Sequence, residues 1–177
     1  QSLVFGSGAT VFVDSGTLAT TADNAISSGT HMNVRAATFE LGHNVSLGNV
    51  SLSGGADIFG SGTLSADNLT VNNSIAGRFS NDQTSTIGVS ISGATNVAFV
   101  GGTNLLHGTS DYTGTTSIDG GALYLGSSGG AILSSSVIEI GKNSPKSHSS
   151  LSIQWNTGDR IGNNTAIDFH NSSTFFI

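Results

Sequence analysis

Short runs of β-favouring residues, cut every few positions by glycine, serine, asparagine or aspartate, extend along the whole of this 177-residue chain. No window sustains apolar residues at i, i+3, i+4 and i+7, and glycine, present 25 times, interrupts most stretches long enough to hold a helix. What remains is strands and turns. The pattern predicts strands at Leu3–Phe5, Ala9–Val13, Thr17–Thr20, Met32–Leu41, Val45–Leu52, Ala56–Phe59, Thr63–Leu64, Leu69–Val71, Arg78–Phe79, Ser85–Ser92, Asn96–Val100, Thr115–Ile118, Ala122–Leu125, Val137–Ile140, Leu151–Trp155, Ala166–Phe169 and Thr174–Ile177. The clusters between them are ordinary turn chemistry.

Many short strands at close spacing mean a sandwich, a barrel or a solenoid, and internal repetition separates these. FGSG occurs at Phe5–Gly8 and again at Phe59–Gly62, an offset of 54, three times 18. Phe39, Phe59, Phe79 and Phe99 follow one another at intervals of 20. VFVDSGTL (Val11–Leu18) and IFGSGTL (Ile58–Leu64) share an apolar strand, a glycine turn and Thr-Leu. A solenoid with coils of about 18 to 20 residues would bring such positions into vertical stacks. The expectation is an all-β solenoid formed by residues 1–177 as one domain, with a β-sandwich of pilin type as the alternative. At about 20 residues per coil it would have roughly nine coils and, at about 4.8 Å per coil, a length a little over 40 Å.

Composition narrows the function classes. Charged residues make up 9% of the chain, against about 25% in an ordinary globular protein. Disorder needs low hydrophobicity together with high net charge, whereas here 36% of residues are apolar and recur in runs, so the chain folds. The five basic residues, Arg35, Arg78, Lys142, Lys146 and Arg160, are scattered, and a net charge of -6 repels a phosphate backbone. Nucleic acid is therefore not an expected partner. No apolar run reaches the length of a membrane-spanning helix, so no transmembrane segment is expected, and QSLVFGSG carries no basic signal-peptide start. A start at Gln1 without Met suggests a mature product or a piece of a longer protein. The absence of cysteine removes disulfides, thiolate metal sites and cysteine catalysis together, and with this composition points to the outside of a bacterium, secreted or at the cell surface.

The most structured stretch is Gly108–Gly126, GTSDYTGTTSIDGGALYLG. Tyr112, Thr116 and Ile118 are β-favouring residues at even spacing, Gly120 and Gly121 supply a turn, and Ala122–Leu125 resumes a strand. Alternation puts Leu123 and Leu125 on one face and Ala122 and Tyr124 on the other. Gly108, Thr109, Tyr112, Thr113, Gly114, Thr116, Ile118, Gly121, Leu123 and Leu125 fall on a pattern that resembles the autotransporter-associated β-strand repeat of bacterial surface proteins. The resemblance covers roughly a tenth of the chain. It implies a right-handed parallel β-helix, secretion across the outer membrane, and a stem or adhesive role. The chain departs from the family in lacking a translocator barrel and in being much shorter, so its ends would need to be capped or joined.

Candidate chemistry is sparse. Gly126–Gly130 fits the G-x-S-x-G of a nucleophile elbow, but AILSSSVIEIG after it reads as strand where an elbow needs a helix. Gly54–Phe59 resembles one imperfect copy of a glycine-rich calcium repeat, too little to supply the six to eight oxygens calcium needs. His31, His43, His107, His148 and His170 show no ligand spacing. Asp111 and Asp119 flank the repeat strand, Asp159-Arg160 is the single adjacent acid–base pair, and all sit in turn contexts. Sequons at Asn44, Asn49, Asn68, Asn72, Asn163 and Asn171 follow from an Asn-, Ser- and Thr-rich composition. No catalytic, cofactor or metal site is expected.

The reading that results is a non-enzymatic structural β-fibre protein: a stem, an adhesin or a self-assembling filament subunit. Its partners would be further copies of itself or surface glycans of a host. The terminal strands are apolar and carry few of the charges and prolines that normally protect an edge. Leu3, Val4 and Phe5 at one end, and Thr174, Phe175, Phe176 and Ile177 at the other, are thus candidate inter-subunit contacts. The alternative is a carbohydrate-active β-helix enzyme, a polysaccharide lyase or glycosidase, which needs clustered carboxylates and bases. A sugar-binding module is a third, with only Trp155, Tyr112 and Tyr124 as polar aromatic platforms.

Overall fold

Side chains that alternate inward and outward over four or five residues, then meet a tight corner, force the chain to change direction without leaving the core. The computed structural model of the chain describes residues 8–73, 83–126, 131–143, 148–153 and 160–177. Strands are numbered along the chain. One sheet stacks β1 (Thr10–Val13), β3 (His31–Arg35), β5 (Val45–Ser53), β7 (Thr63–Asn72), β10 (Asn96–Val100), β13 (Thr116–Asp119), β16 (Val137–Ile140) and β18 (Ala166–Phe169). A second stacks β2 (Thr17–Thr20), β4 (Thr38–Leu41), β6 (Asp57–Gly60), β8 (Thr84–Ile87), β11 (Thr103–Leu106), β14 (Ala122–Leu125), β17 (Ser149–Ile153) and β19 (Ser173–Phe176). A shorter third face joins the first halves of β5 and β7 to β9 (Ser90–Ser92), then β12 (Thr109–Ser110), β15 (Ala131–Ile132) and the Ile132–Ile161 bridge. A backbone bond from the Asp111 N–H to the Ile91 carbonyl, with the Ile91 N–H donating to the Ser110 hydroxyl, carries this face from β9 to β12.

Among the described residues all paired strands are parallel, so the chain winds as a β-solenoid of about seven turns, with eight rungs described in each long sheet. A pilin-type sandwich, built mainly from antiparallel pairs, is thereby set aside. At about 4.8 Å per rung the seven steps span about 34 Å, somewhat less than nine coils would give.

The register makes vertical columns inside the coil. Val11, Met32, Val50, Leu69, Val97, Thr116, Ile138 and Ile167 form one. Val13, Val34, Leu52, Val71, Phe99, Ile118, Ile140 and Phe169 form the next. From Val34 onward the second column advances by 18, 19, 28, 19, 22 and 29 residues. A step of 18 or 19 is thus the bare coil. The 28-residue step contains residues 74–82, and the 29-residue step contains 144–147 and 154–159. Extra length enters between strands, and the ladder on either side keeps its register.

Several expectations are corrected by this register. Phe39 and Phe99 are fully buried but in different sheets, and Phe59 pairs with Glu40 and faces outward, so the 20-residue spacing is not a phenylalanine stack. Phe79 and the first FGSG string, Phe5–Ser7, lie outside the described residues. The two apolar-Gly-Thr-Leu units occupy different corners, since Leu18 belongs to the second sheet and Leu64 to the third face. Met32–Leu41 is two strands, because Ala36 turns the chain at a φ of 49° without any glycine to announce it. Ser85–Ser92 is likewise two, whereas Thr63–Leu64 and Leu69–Val71 are halves of one strand. β11 went unpredicted because its inward residue Asn104 breaks the apolar alternation.

Alternation along β5 generates a direct test. Leu52 is fully buried in a column, and Ser51 beside it faces out. Urea unfolding of Leu52→Ala should show a loss of about 2–5 kcal/mol, and Ser51→Ala a change within about 0.5 kcal/mol. Equal effects at the two positions would contradict the assigned faces.

Candidate functional site

The stretch Gly108–Leu125 forms one full coil segment, crossing from the third face through the first sheet to the second. Tyr112, Ile118, Leu123 and Leu125 are fully buried, as the alternation requires, while Tyr124 is only partly covered. β13 and β14 pair with strands of different sheets, so the glycine pair between them makes a corner and not a hairpin. Gly120 takes a φ of 73°. At Gly114 and Gly121 the need for glycine is steric: a Cβ would lie 2.2 Å from the Thr95 carbonyl oxygen and 2.5 Å from the Gly101 carbonyl carbon of the preceding coil. These glycines therefore stand where successive corners touch backbone to backbone.

Its tyrosine and threonine serve each other. Thr116 interrupts an otherwise apolar column, and its hydroxyl lies 2.6 Å from the Tyr112 hydroxyl and 3.0 Å from Ser135 Oγ. Ser135 donates to the Gly114 carbonyl at 2.8 Å. A proton order running from Tyr112 to Thr116, Ser135 and that carbonyl gives every hydroxyl a partner inside the core. A second buried polar cluster was missed in the sequence because no short spacing joins its members. Asn73 donates to Ser85 Oγ (3.0 Å) and Asn104 Oδ1 (3.2 Å), accepts from the Gly55 N–H (3.1 Å), and Asn104 donates to the Gly101 carbonyl (3.1 Å). Both clusters close corners, where the strand ladder leaves backbone groups open.

The terminal coil is where the candidate contact residues stand. β18 and β19 end their sheets, each with one paired and one open edge among the described residues. Thr174, Phe175 and Phe176 lie on β19, and Ile177 follows it. Phe175 is aligned with Leu151 and packs inward, with its ring 6.4 Å from that of Phe169. Phe169 continues a column whose other members from Val34 to Ile140 are buried, yet it is 52% exposed because no rung covers it. Phe176 and Ile177 are exposed at 54% and 96%. At the opposite end β1 and β2 are the outermost strands described, Val11, Val13 and Leu18 are only partly buried, and Phe12 is 68% exposed on the outer surface. Leu3, Val4 and Phe5 lie outside the described residues.

The remaining candidates do not converge. Asp119 is buried and its carboxylate accepts from the Asn143 backbone N–H (2.8 Å) and side-chain amide (3.1 Å), while Asp111 is exposed. Asp57, in the calcium-like stretch, accepts the Thr86 N–H at 2.6 Å, so its carboxylate replaces a missing ladder bond between β6 and β8. His31 Nδ1 accepts the Asn49 N–H at 2.9 Å. Arg160 is buried, and Asp159, Trp155 and Ser127–Gly130 lie outside the described residues. Among the described residues no three His, Asp or Glu side chains gather as a metal site, and no helix is long and apolar enough to cross a membrane. The ion pairs Asp14–Arg35 and Glu139–Lys142 are surface pairs on the first sheet, and the Glu139 carboxylate holds the Lys142 ammonium above its usual range.

Burial pushes the Tyr112 phenol well above its ordinary value, and the hydrogen bond to Thr116 offsets part of that rise. The folded chain thus keeps a proton that the unfolded chain gives up near pH 10, so stability is complete below about pH 10 and falls as pH rises beyond it. Tyr112→Phe should cost about 1 kcal/mol at pH 7 and flatten this alkaline loss. Denaturant titrations of both proteins between pH 7 and 11 measure it, and parallel curves would show that Tyr112 is not the group responsible.

Comparison with protein families, with curated proteins and with solved structures finds no match for this chain.

Proposed function

We propose that this protein is a structural β-fibre subunit, secreted or displayed at a bacterial surface, that self-assembles into a stem or filament. The observation that carries the reading is the stack itself: parallel coils held in register by buried apolar columns, with outward positions given to short neutral side chains such as the hydrogen-bonded run Asn49, Asn68 and Asn96. The repeat-like unit Gly108–Leu125 supports the surface assignment through its resemblance to passenger repeats, and its residues serve packing and corner contacts. An adhesive role toward neutral glycans is compatible with the outer surface of the first sheet. There Phe12 borders a groove of about 360 Å³ lined by Asn33, Ser51, Ser53 and the Asp14–Arg35 pair.

Electron microscopy of the purified chain should show rods many times longer than one subunit, and aligned rods should diffract near 4.8 Å along their axis. Removal of residues 173–177 should leave particles of subunit size. A chain that stays monomeric at high concentration, or filaments unaltered by the truncation, would overturn assembly through this end.

A further inference from the structure

On the outer surface of the first sheet a run of hydrogen bonds points one way along the stack and ends on an imidazole. The Thr115 N–H donates to Asn96 Oδ1 at 3.0 Å, the Asn96 amide to Asn68 Oδ1 at 3.3 Å, and the Asn68 amide to Asn49 Oδ1 at 2.8 Å. The last link is of a different kind: the Asn49 backbone N–H donates to Nδ1 of the half-buried His31 at 2.9 Å. A backbone N–H can only donate, so Nδ1 is unprotonated and the proton of the neutral ring sits on Nε2. The ring also fills the space over Gly48, where a Cβ would lie 2.7 Å from Nδ1 and 2.8 Å from Cε1. We infer that His31 is an acid-sensitive latch between the coil of β3 and that of β5, closed while the ring is neutral and opened when it takes up a proton.

Protonation puts a hydrogen on both ring nitrogens. Nδ1–H then faces the Asn49 N–H, donor against donor, and the ring must leave its seat on Gly48 to bond to water. The asparagines of the run have no such second state, because an amide oxygen accepts at any pH. Histidine is the side chain whose ordinary charge change falls between about pH 5 and 8, so mild acid is the signal the latch reads. Few charges surround the ring. β1, β5 and the corner residues 27–30 carry no ionisable side chain, and Arg35, at the other end of β3, is paired with Asp14. On β7, Asp67 stands between Ala66 and Asn68, which align with Leu47 and Asn49, so it lies one rung beyond Gly48. Its carboxylate attracts a charged ring and thereby favours the open position.

Nitrogen NMR of the imidazoles in the full chain, with His31 assigned by its loss in His31→Asn, should place the ring proton on Nε2 at about pH 8. On titration to about pH 5 the His31 ring and the Asn49 amide should shift together. Protection of the Asn49 amide from hydrogen exchange, corrected for the intrinsic effect of pH, should fall about fivefold, the worth of one neutral hydrogen bond. In His31→Asn an amide oxygen takes the place of Nδ1 and lengthens the asparagine run by one coil. Protection of Asn49 in that variant should be the same at both pH values. A proton on Nδ1 at the higher pH, or an Asn49 amide that stays unchanged while the ring titrates, would overturn the latch. So would protection that falls equally in the two proteins. Should His31→Asn fail to fold, the ring proton's position and the joint shift of ring and amide in the unmodified chain decide the matter. None of these readouts depends on whether the chain forms filaments.

Discussion

Everything in this fold depends on the parallel backbone ladder between one coil and the next. A chain with so much glycine loses much conformational entropy on ordering. Its many turn residues also present N–H and C=O groups that cannot be buried unpaired. Stacking coils in register answers both demands, because strand residues bond to their equivalents one coil away and most inward side chains land on another apolar side chain. The bonds continue around the corners: Thr38 donates to Gly16, Gly101 to Asp119, and Gly126 to Leu106. Corners that approach this closely leave no space for a Cβ, which is why glycine recurs at Gly114 and Gly121.

Where the ladder cannot be completed, side chains complete it. Asp57 takes the place of a backbone carbonyl opposite Thr86, and Thr95 both accepts from Ala66 N–H and lies within 2.7 Å of its carbonyl. Asn73, Ser85 and Asn104 do the same where the coil lengthens by residues 74–82. On the outside, Asn49, Asn68 and Asn96 stack in a hydrogen-bonded run, with the Asn68 amide donating to Asn49 at 2.8 Å and the Asn96 amide to Asn68 at 3.3 Å. This accounts for the composition. Short neutral polar side chains can repeat at coil spacing and bond to one another, whereas like charges stacked about 4.8 Å apart would repel. The low fraction of charged residues is a consequence of the architecture.

A stack of this kind has no intrinsic end. Each coil is covered by its neighbours, and the first and last are covered on one side only. Among the described residues Phe169, at the end of its column, is half exposed, and β18 and β19 each have one unpaired edge.

The amino-acid sequence by itself determined the secondary-structure type and much of which residues face in. Alternation over four or five positions is local, so Leu123 and Leu125 inward or the strand at Asn96–Val100 could be read without knowing any partner. The buried Ile118 was legible for the same reason. Only the tertiary structure decided which strands stack on which. That choice rests on corner length and inserted segments, which vary the sequence interval between stacked positions from 18 to 29 residues while the columns continue. Phe39, Phe59 and Phe99 show the effect: positions separated by multiples of 20 residues put one ring in each long sheet's core and one on the outer surface. Ala36 turns a corner with no glycine, and Asn104 faces inward because Asn73 and two carbonyls receive it. Neither is visible locally, since Asn73 and Ala122 reach Asn104, and Ser53 reaches Ala36, from other coils.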